Sequence, residues 1–202
     1  MVSRKDGEPL YELPSSVGML EAARGTVFFL DWQWLRSRKD YDRYVALIQP
    51  AVRDRLLGVT TGDWVPVEML HVHYRALDAM GFTREQAFEC GVSVGEALHG
   101  SMVRTLVRLA SHLGATPWVV MGNAPKLWSR SWRGGGFLTV RLGEKSARFD
   151  IVKNPAARSA FHRGSVSGVI SVGLGWLCNK LVIKELDAAR TSDSFSLQVD
   201  WI

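Results

Sequence analysis

Two histidines that lie one residue apart are the first candidates for chemistry in this sequence. They occur in the stretch DWVPVEMLHVHYRALDAM, residues 63–80. Imidazole nitrogens are common ligands of metal ions and of haem iron. On a strand, His71 and His73 would share one face and could chelate one ion, whereas on a helix they point about 160° apart. Pro66 and the apolar spacing favour a helix, so we do not expect the two histidines to chelate one ion together.

His73 is predicted to lie on the apolar side of this helix, while His71 lies near the boundary, close to Asp78. Two interpretations of His73 are open. The favoured one is a core or interface histidine with one hydrogen-bonded ring nitrogen, and the other is an axial ligand of haem iron. The apolar residues that surround it at helical spacing are Met69, Leu70, Leu77 and Met80.

Other catalytic and metal-binding signatures are missing or incomplete. The sequence has no HEXXH motif and no CxxC pair, and Cys90 and Cys178 favour two free thiols over one disulfide. The stretch GSVSG (164–168) resembles a nucleophile elbow, but valine occupies the position of the nucleophile. We therefore predict no catalytic residue, no metal site and no required cofactor. The remaining histidines are expected to be structural or exposed, namely His99, His112 and His162.

The N-terminal half of the chain is predicted to be helical. Residues 1–18 have little periodicity and are expected to form a flexible arm, followed by a single domain over residues 19–202. The aromatic segment 26–35 is compatible with a strand or with a buried helix. Further helices are predicted from Asp40 to Pro50, over 51–57, over 66–81, from the TREQ capping box at 83–86, and over 101–113.

The C-terminal half is predicted to contain two β-hairpins joined by a helix. Residues 137–142 and 146–152 form the first hairpin, residues 156–173 the helix, and residues 180–190 and 194–202 the second hairpin. The predicted fold is therefore α+β, with a helical N-terminal half packed on a four-stranded antiparallel sheet in hairpin–helix–hairpin order. Four side chains of the last strand share one face and are expected to be buried, namely Phe195, Leu197, Val199 and Trp201.

Small residues recur every four positions on two predicted helices, as Ala87, Gly91 and Gly95 and as Gly164 and Gly168. Glycine inside a helix costs roughly 1 kcal/mol relative to alanine, which indicates close packing or a ligand, with packing favoured. Together with the abundant tryptophan, these faces could frame an apolar groove or a helix-mediated dimer. The aromatic residues best placed for this role lie near the start of the sheet and are Trp118, Trp128 and Trp132.

Composition narrows the possible partners. Of the 202 residues, 47% are hydrophobic and 22% are charged, which is typical of a globular protein. The net charge of +5 is scattered and no recognition motif accompanies it, so nucleic-acid binding is not expected. No apolar stretch approaches the roughly 20 residues that span a bilayer, and no targeting segment is evident. We expect a cytoplasmic protein without a membrane span.

The order of the sequence landmarks resembles an uncharacterised paralogous family of proteins of similar length that is expanded in myxobacteria. That family is distantly similar to 4-vinyl-reductase-like and haem-NO-binding-like domains. The resemblance covers about residues 22–202. The landmarks, in chain order, are GTVFF (25–29), Trp64-x-Pro66-x-Glu68, the helix with Gly91 and Gly95, the stretch P-KLW-R-W-GGG (125–136), the hairpin ending in Asn154-Pro155, the helix with Gly164 and Gly168, and the hairpin ending at Trp201.

The resemblance implies a sensor-type scaffold that binds a small molecule or dimerises, rather than a catalyst. The sequence departs from the related domains in two ways. Haem-NO-binding domains carry a Tyr-x-Ser-x-Arg motif for the haem propionates, and this sequence has none. Relatives of the vinyl-reductase type often have two cysteines in the last hairpin, and residues 180–202 contain no cysteine. The second departure weakens a metal or redox role for that hairpin.

The sequence thus predicts a non-enzymatic regulatory or interaction module, which forms a homodimer or joins a larger assembly through protein partners. The alternative is a sensor domain that binds haem or another hydrophobic small molecule. The candidate residues for a ligand pocket or an interface are His73, Gly91, Gly95, Trp118, Trp128, Trp132, Gly164 and Gly168.

Overall fold

The structure, a computed structural model, describes residues 6, 7, 9, 17–112 and 116–202, and within residues 99–112 it describes the helical backbone only. The predicted flexible arm, residues 1–18, therefore lies largely outside the described residues. The helices and strands of the described ranges are, in chain order, β1 (Ala22–Arg24), α1 (Gly25–Ser37), α2 (Tyr41–Leu47), α3 (Pro50–Leu57), β2 (Trp64–Pro66), α4 (Val67–Ala79), α5 (Arg84–His112), α6 (Pro117–Ser131), β3 (Trp132–Arg133), β4 (Gly136–Gly143), β5 (Ser146–Val152), α7 (Ala160–Gly175), β6 (Leu181–Glu185) and β7 (Phe195–Trp201).

The strands form two antiparallel sheets. The larger has the strand order β4-β5-β7-β6, which confirms the predicted α+β class and the four-stranded sheet built from two hairpins. The smaller has the order β2-β1-β3 and was not predicted, because its strands are only two or three residues long. In this sheet Ala22 pairs with both Pro66 and Arg133. The small sheet therefore connects three segments of the chain, which lie directly before α1, directly before α4 and directly after α6.

Local sequence signals explain several helix boundaries. The aromatic segment at 26–35 is helical, as part of α1, and buries Phe28, Trp32 and Leu35. The predicted capping box at the start of α5 is confirmed. The Thr83 N–H donates to Gln86 Oε1 at 2.9 Å, and the Gln86 N–H donates to Thr83 Oγ1 at 3.3 Å.

The prediction of a separate helix over 101–113 is wrong, because α5 continues without a break from Arg84 to His112. The HGS stretch at 99–101 contains glycine but no proline. Every backbone N–H donor is therefore retained there, and glycine alone lowers helix stability without ending the helix. Residues 117–131 likewise form one continuous helix, α6, with Pro125 inside it.

The buried apolar side chains form two clusters. The first lies among α1 to α5 and contains Phe28, Leu35 and Leu70. The second lies between the four-stranded sheet and helices α6 and α7, and includes Met121 and Leu174. The predicted inward face of the last strand is confirmed, since its four side chains belong to the second cluster, namely Phe195, Leu197, Val199 and Trp201. None of the helices in the described part of the chain is both long and apolar enough to cross a lipid bilayer.

Helices α5 and α7 join the two clusters and approach each other backbone to backbone. A Cβ atom on Gly91 would overlap the backbone of Ser165, and one on Gly168 would overlap the backbone of Phe88. A Cβ atom on Gly164 would lie 2.7 Å from the Cβ of Ala87.

The two predicted small-residue faces therefore cover each other within one chain. The close packing expected of them occurs, and from Gly91 onwards it leaves the α5 face open neither for an apolar groove nor for a second copy of the protein. This corrects the expectation that Gly91, Gly95 and Gly168 frame such a groove or a dimer, while Gly164 lies at the edge of this contact. Gly95 follows the same pattern, because its Cβ would lie 3.0 Å from the Cβ of Val172 on α7.

We predict that Gly91→Ala lowers the free energy of unfolding by about 3 kcal/mol, because the added methyl group forces α5 and α7 apart. Gly122→Ala is the matched control. Gly122 lies in α6 with no atom within 4 Å of an added Cβ, so this change should raise stability by up to about 1 kcal/mol. Urea unfolding followed by tryptophan fluorescence measures both, and equal stability of the two variants would contradict the packing described.

Candidate functional site

A chain of buried polar side chains lies at the centre of the helical cluster. Trp32 Nε1–H donates to the Tyr44 hydroxyl at 3.2 Å, and that hydroxyl lies 2.7 Å from His73 Nδ1. His73 Nε2 lies 3.0 Å from Asp31 Oδ2, and the Cys90 thiol donates to Asp31 Oδ1 at 3.4 Å. All five side chains are buried. The network joins α1, α2, α4 and α5.

One tautomer of His73 satisfies every contact in this network. With its proton on Nε2, His73 donates to Asp31, and its Nδ1 accepts from the Tyr44 hydroxyl. The Tyr44 oxygen then accepts from Trp32, and the Asp31 carboxylate receives a second donor from Cys90. Buried polar groups that are fully paired in this way specify how their helices fit together.

His73 therefore lies in the core, as the favoured interpretation of the sequence expected, but with both ring nitrogens engaged rather than one. Its lone pair on Nδ1 is taken by Tyr44. Burial, and after it the nearby Asp31, raises the pKa of the Cys90 thiol well above its ordinary value. Burial also raises the pKa of Tyr44. Both groups thus stay protonated at neutral pH and offer neither a thiolate nor a phenolate.

A second buried histidine, His162 on α7, lies where the two clusters meet. Its Nε2 is 3.2 Å from Asn154 Nδ2, and its Nδ1 has no hydrogen-bond partner among the described residues. Burial, with further contributions from Arg163 and His73, lowers the pKa of His162 to about 3. Three aromatic rings surround it with centroids 4.7, 5.6 and 6.0 Å away, those of Tyr74, Trp132 and Phe195. It is a neutral, tightly packed core histidine.

The three candidate tryptophans do not meet at one pocket. Trp128 and Trp132 stack with ring centroids 5.0 Å apart, and Trp132 also contacts His162. Trp118 instead packs edge-on against Trp201 at 4.9 Å and donates its Nε1–H to the carbonyl of Glu144 at 3.1 Å. These rings pack against one another and against the sheet, as aromatic side chains in a core do.

The described residues do form a cleft, at a place that the sequence analysis did not identify. Its volume is about 180 Å³, and it lies where the N-terminal ends of α5 and α7 meet the end of β6. One wall is apolar and includes Phe82, Ala87 and Phe161, and Gly164 lines it as well. The polar wall holds three arginines and two carboxylates, namely Arg84, Arg163, Arg190, Glu185 and Asp187.

The charged side chains of this cleft are centred on Glu185. Arg163 Nε donates to Glu185 Oε1 at 2.6 Å, and both side chains are nine-tenths buried. Arg84 and Arg190 lie further from the same carboxylate, at 3.7 and 3.9 Å, and are largely exposed. Arg190 also lies 3.6 Å from Asp187. These residues are far apart in sequence, and no motif connects them.

No family model matches this chain, and a search of curated proteins finds no match. Solved structures do match. The Fe(II) unliganded H-NOX protein from K. algicida has a TM-score of 0.64 and 10% identity, over 89% of this chain and 96% of that one. A point mutant of the T. tengcongensis H-NOX has a TM-score of 0.55 and 10% identity, and the match covers 88% of this chain and 97% of the mutant. An oxygen-binding H-NOX domain related to soluble guanylate cyclases has a TM-score of 0.51 and 9% identity, and the match covers 88% of this chain and 94% of that domain.

These similarities show that the chain has the H-NOX fold. The expected resemblance to haem-NO-binding domains is thereby confirmed at the level of the fold. The resemblance to a paralogous family of myxobacteria stays a prediction.

We predict that Tyr44→Phe lowers the free energy of unfolding by about 3 kcal/mol. The change leaves both Trp32 Nε1–H and His73 Nδ1 buried without a partner, and each such group costs about 1–3 kcal/mol. Tyr41→Phe, on the same helix, removes a hydroxyl outside this network and should change stability little. Chemical denaturation measures both variants, and an equally small effect of the two would show that the network contributes little.

We also predict that His162 makes the protein less stable as the pH falls. Its pKa in the folded protein, about 3, lies below its ordinary value of 6.5, so the unfolded chain binds the proton first. The stability that the neutral His162 side chain contributes is complete above pH 6.5 and is lost progressively from there towards pH 3. Between pH 7 and pH 5, the wild type should lose about 2 kcal/mol more of its unfolding free energy than His162→Gln. Parallel pH profiles for the two proteins would refute this assignment.

Proposed function

We propose that this chain is a non-catalytic, sensor-type domain that uses the H-NOX fold to bind a small molecule, and that this ligand is not a haem held by His73. The observation that carries the proposal is the similarity to H-NOX structures over nearly nine-tenths of the chain. One of the similar structures concerns haem distortion in the H-NOX family, and another is an oxygen-binding H-NOX domain. A binding role therefore has more support than the interaction module that the sequence analysis favoured.

The three fully buried candidates for an iron ligand among the described residues, His73, His162 and Cys90, do not fit haem. A haem needs an iron ligand with a free lone pair beside a planar apolar slot. His73 has both nitrogens engaged, and His162 is enclosed by aromatic rings at contact distance. Cys90 stays a protonated thiol because burial and Asp31 raise its pKa. Two further histidines, His99 and His112, belong to the part of α5 whose side chains the structure does not describe.

The buried network also supports a non-catalytic role. Asp31, His73 and Cys90 are residue types that catalyse reactions in other proteins, but here they are fully buried and are hydrogen-bonded to members of the same buried network. A substrate has no access to them. In the described ranges, no group of three or more His, Cys, Asp or Glu side chains is placed to hold a metal ion.

The predicted homodimer and protein partners stay predictions. If a dimer forms, it uses a surface other than the small-residue faces of α5 and α7, because those faces are covered within the chain. Protein partners are compatible with a sensor domain, since such a domain passes its state to another protein.

We expect the purified protein, mixed with one equivalent of haemin and passed through a gel-filtration column, to retain no stoichiometric Soret absorbance. Any residual absorbance should be the same in His73→Ala as in the wild type, because His73 has no lone pair to offer. His99→Ala and His112→Ala test the two histidines whose side chains are not described.

A stoichiometric Soret band that His73→Ala abolishes would overturn the assignment of His73. A band abolished only by His99→Ala or His112→Ala would make the domain a haem sensor with its iron ligand on α5. The binding role itself is tested by thermal denaturation against a panel of small metabolites, in which a ligand at a hundred times its Kd stabilises by about 2.7 kcal/mol. Failure of haemin and of every compound in the panel would count against a sensor.

A further inference from the structure

We propose that the cleft between α5, α7 and β6 is a binding site for a small organic carboxylate with an apolar body. This inference rests on the small-molecule binding proposed above and assigns the ligand class and its place in the fold.

The charges of the cleft favour an anion. Three guanidinium groups face two carboxylates, so the lining carries one positive charge in excess. Arg163 and Glu185 form a close pair, and Arg163 is fixed further by donating to the carbonyl of Ala157 at 2.7 Å. This buried pair is the rigid base of the site.

Arg84 and Arg190 are the two cations that an incoming anion can engage. Their distances to Glu185, 3.7 and 3.9 Å, are longer than a hydrogen bond, so charge alone holds them near it. An arginine fork matches the geometry of a carboxylate and binds it with two parallel N–H donors. Both side chains are exposed enough to turn towards a ligand.

The helix ends themselves are already occupied. The Asp78 carboxylate accepts from the Phe161 N–H at 3.0 Å and from the Ser159 hydroxyl at 3.0 Å, at the N-terminus of α7. The α5 N-terminus is closed by the Thr83–Gln86 capping box. The arginines must therefore supply the hydrogen bonds to the ligand, and replacing them is the sharpest test of the site.

The volume and the apolar lining of the cleft limit the size and character of the uncharged part of the ligand. The volume of about 180 Å³ is close to that of a cavity of roughly 150 Å³ that holds one benzene molecule. Phe82 and Phe161 supply an aromatic wall with ring centroids 5.6 Å apart. A ring-sized apolar body with a single carboxylate fits these limits, whereas drug-sized ligands need roughly 300–1,000 Å³.

Benzoate is the probe that matches this description, and isothermal titration calorimetry of the full chain measures its binding. We expect one site, and each of Arg84→Gln and Arg190→Gln should weaken binding roughly tenfold or more through loss of charge-assisted hydrogen bonds. Arg75→Gln is the matched control. It removes the same charge from an exposed position on α4 and should leave the Kd unchanged. Phe82→Ala should also weaken binding, because it removes the aromatic wall.

Benzyl alcohol and inorganic phosphate separate the two parts of the ligand. Benzyl alcohol has the ring without the charge, and phosphate has the charge without the ring, so both should bind at least tenfold more weakly than benzoate. Equal binding of either compound overturns the assigned ligand class. Equal weakening by Arg75→Gln shows a general charge effect and overturns the site.

The absence of benzoate binding to a folded wild-type protein also overturns the inference. If another compound then raises the melting temperature, the sensor function stands and only this site and ligand class fail. If no compound binds, both the sensor function and the proposed site fail. Circular dichroism and the melting temperature of each variant establish that it is folded, as the exposure of Arg84 and Arg190 leads us to expect.

Discussion

The close approach of α5 and α7 determines how the two halves of this protein fit together. α5 belongs to the helical cluster and α7 packs on the sheet, and the glycines of the two helices leave space for backbone but not for side chains. Because of this, the neighbouring positions on α5 have fixed environments. Cys90 faces the buried network, while Arg84, two turns earlier, lies at the open end of the contact in the cleft. One packing constraint thus sets both polar regions of the molecule.

The two polar regions differ in how their groups are satisfied. Around His73, each donor has an acceptor within the network and every member is buried away from solvent. Around Glu185, one arginine makes a close pair and two others stay at longer distances, near solvent. Satisfied buried networks specify a fold, whereas exposed cations in excess beside an open cleft attract anions. His73, one of the two histidines that stand out in the sequence, is therefore structural, and the less conspicuous arginines carry the proposed binding.

Much of the fold follows from local sequence signals, and the site does not. The capping box at Thr83, the helix around His73 and both hairpins were predictable, because each depends on residues that are close in sequence. The partner of His73, Asp31, lies 42 residues away, and the cleft draws on residues from 82 to 190. The glycine spacing indicated close packing, but the spacing on one helix does not say which helix it meets. Only tertiary structure supplies those pairings.

A shared fold does not carry a shared ligand, since binding depends on the side chains that a chain places on its scaffold. Here the described residues leave His73 no free lone pair for a haem iron, yet they place cations from different parts of the chain at one cleft. Arg84 lies at the start of α5, and Arg190 lies between β6 and β7. An anion that engages both arginines would therefore contact the helical half of the chain, through Arg84, and the sheet half, through Arg190, at the same time.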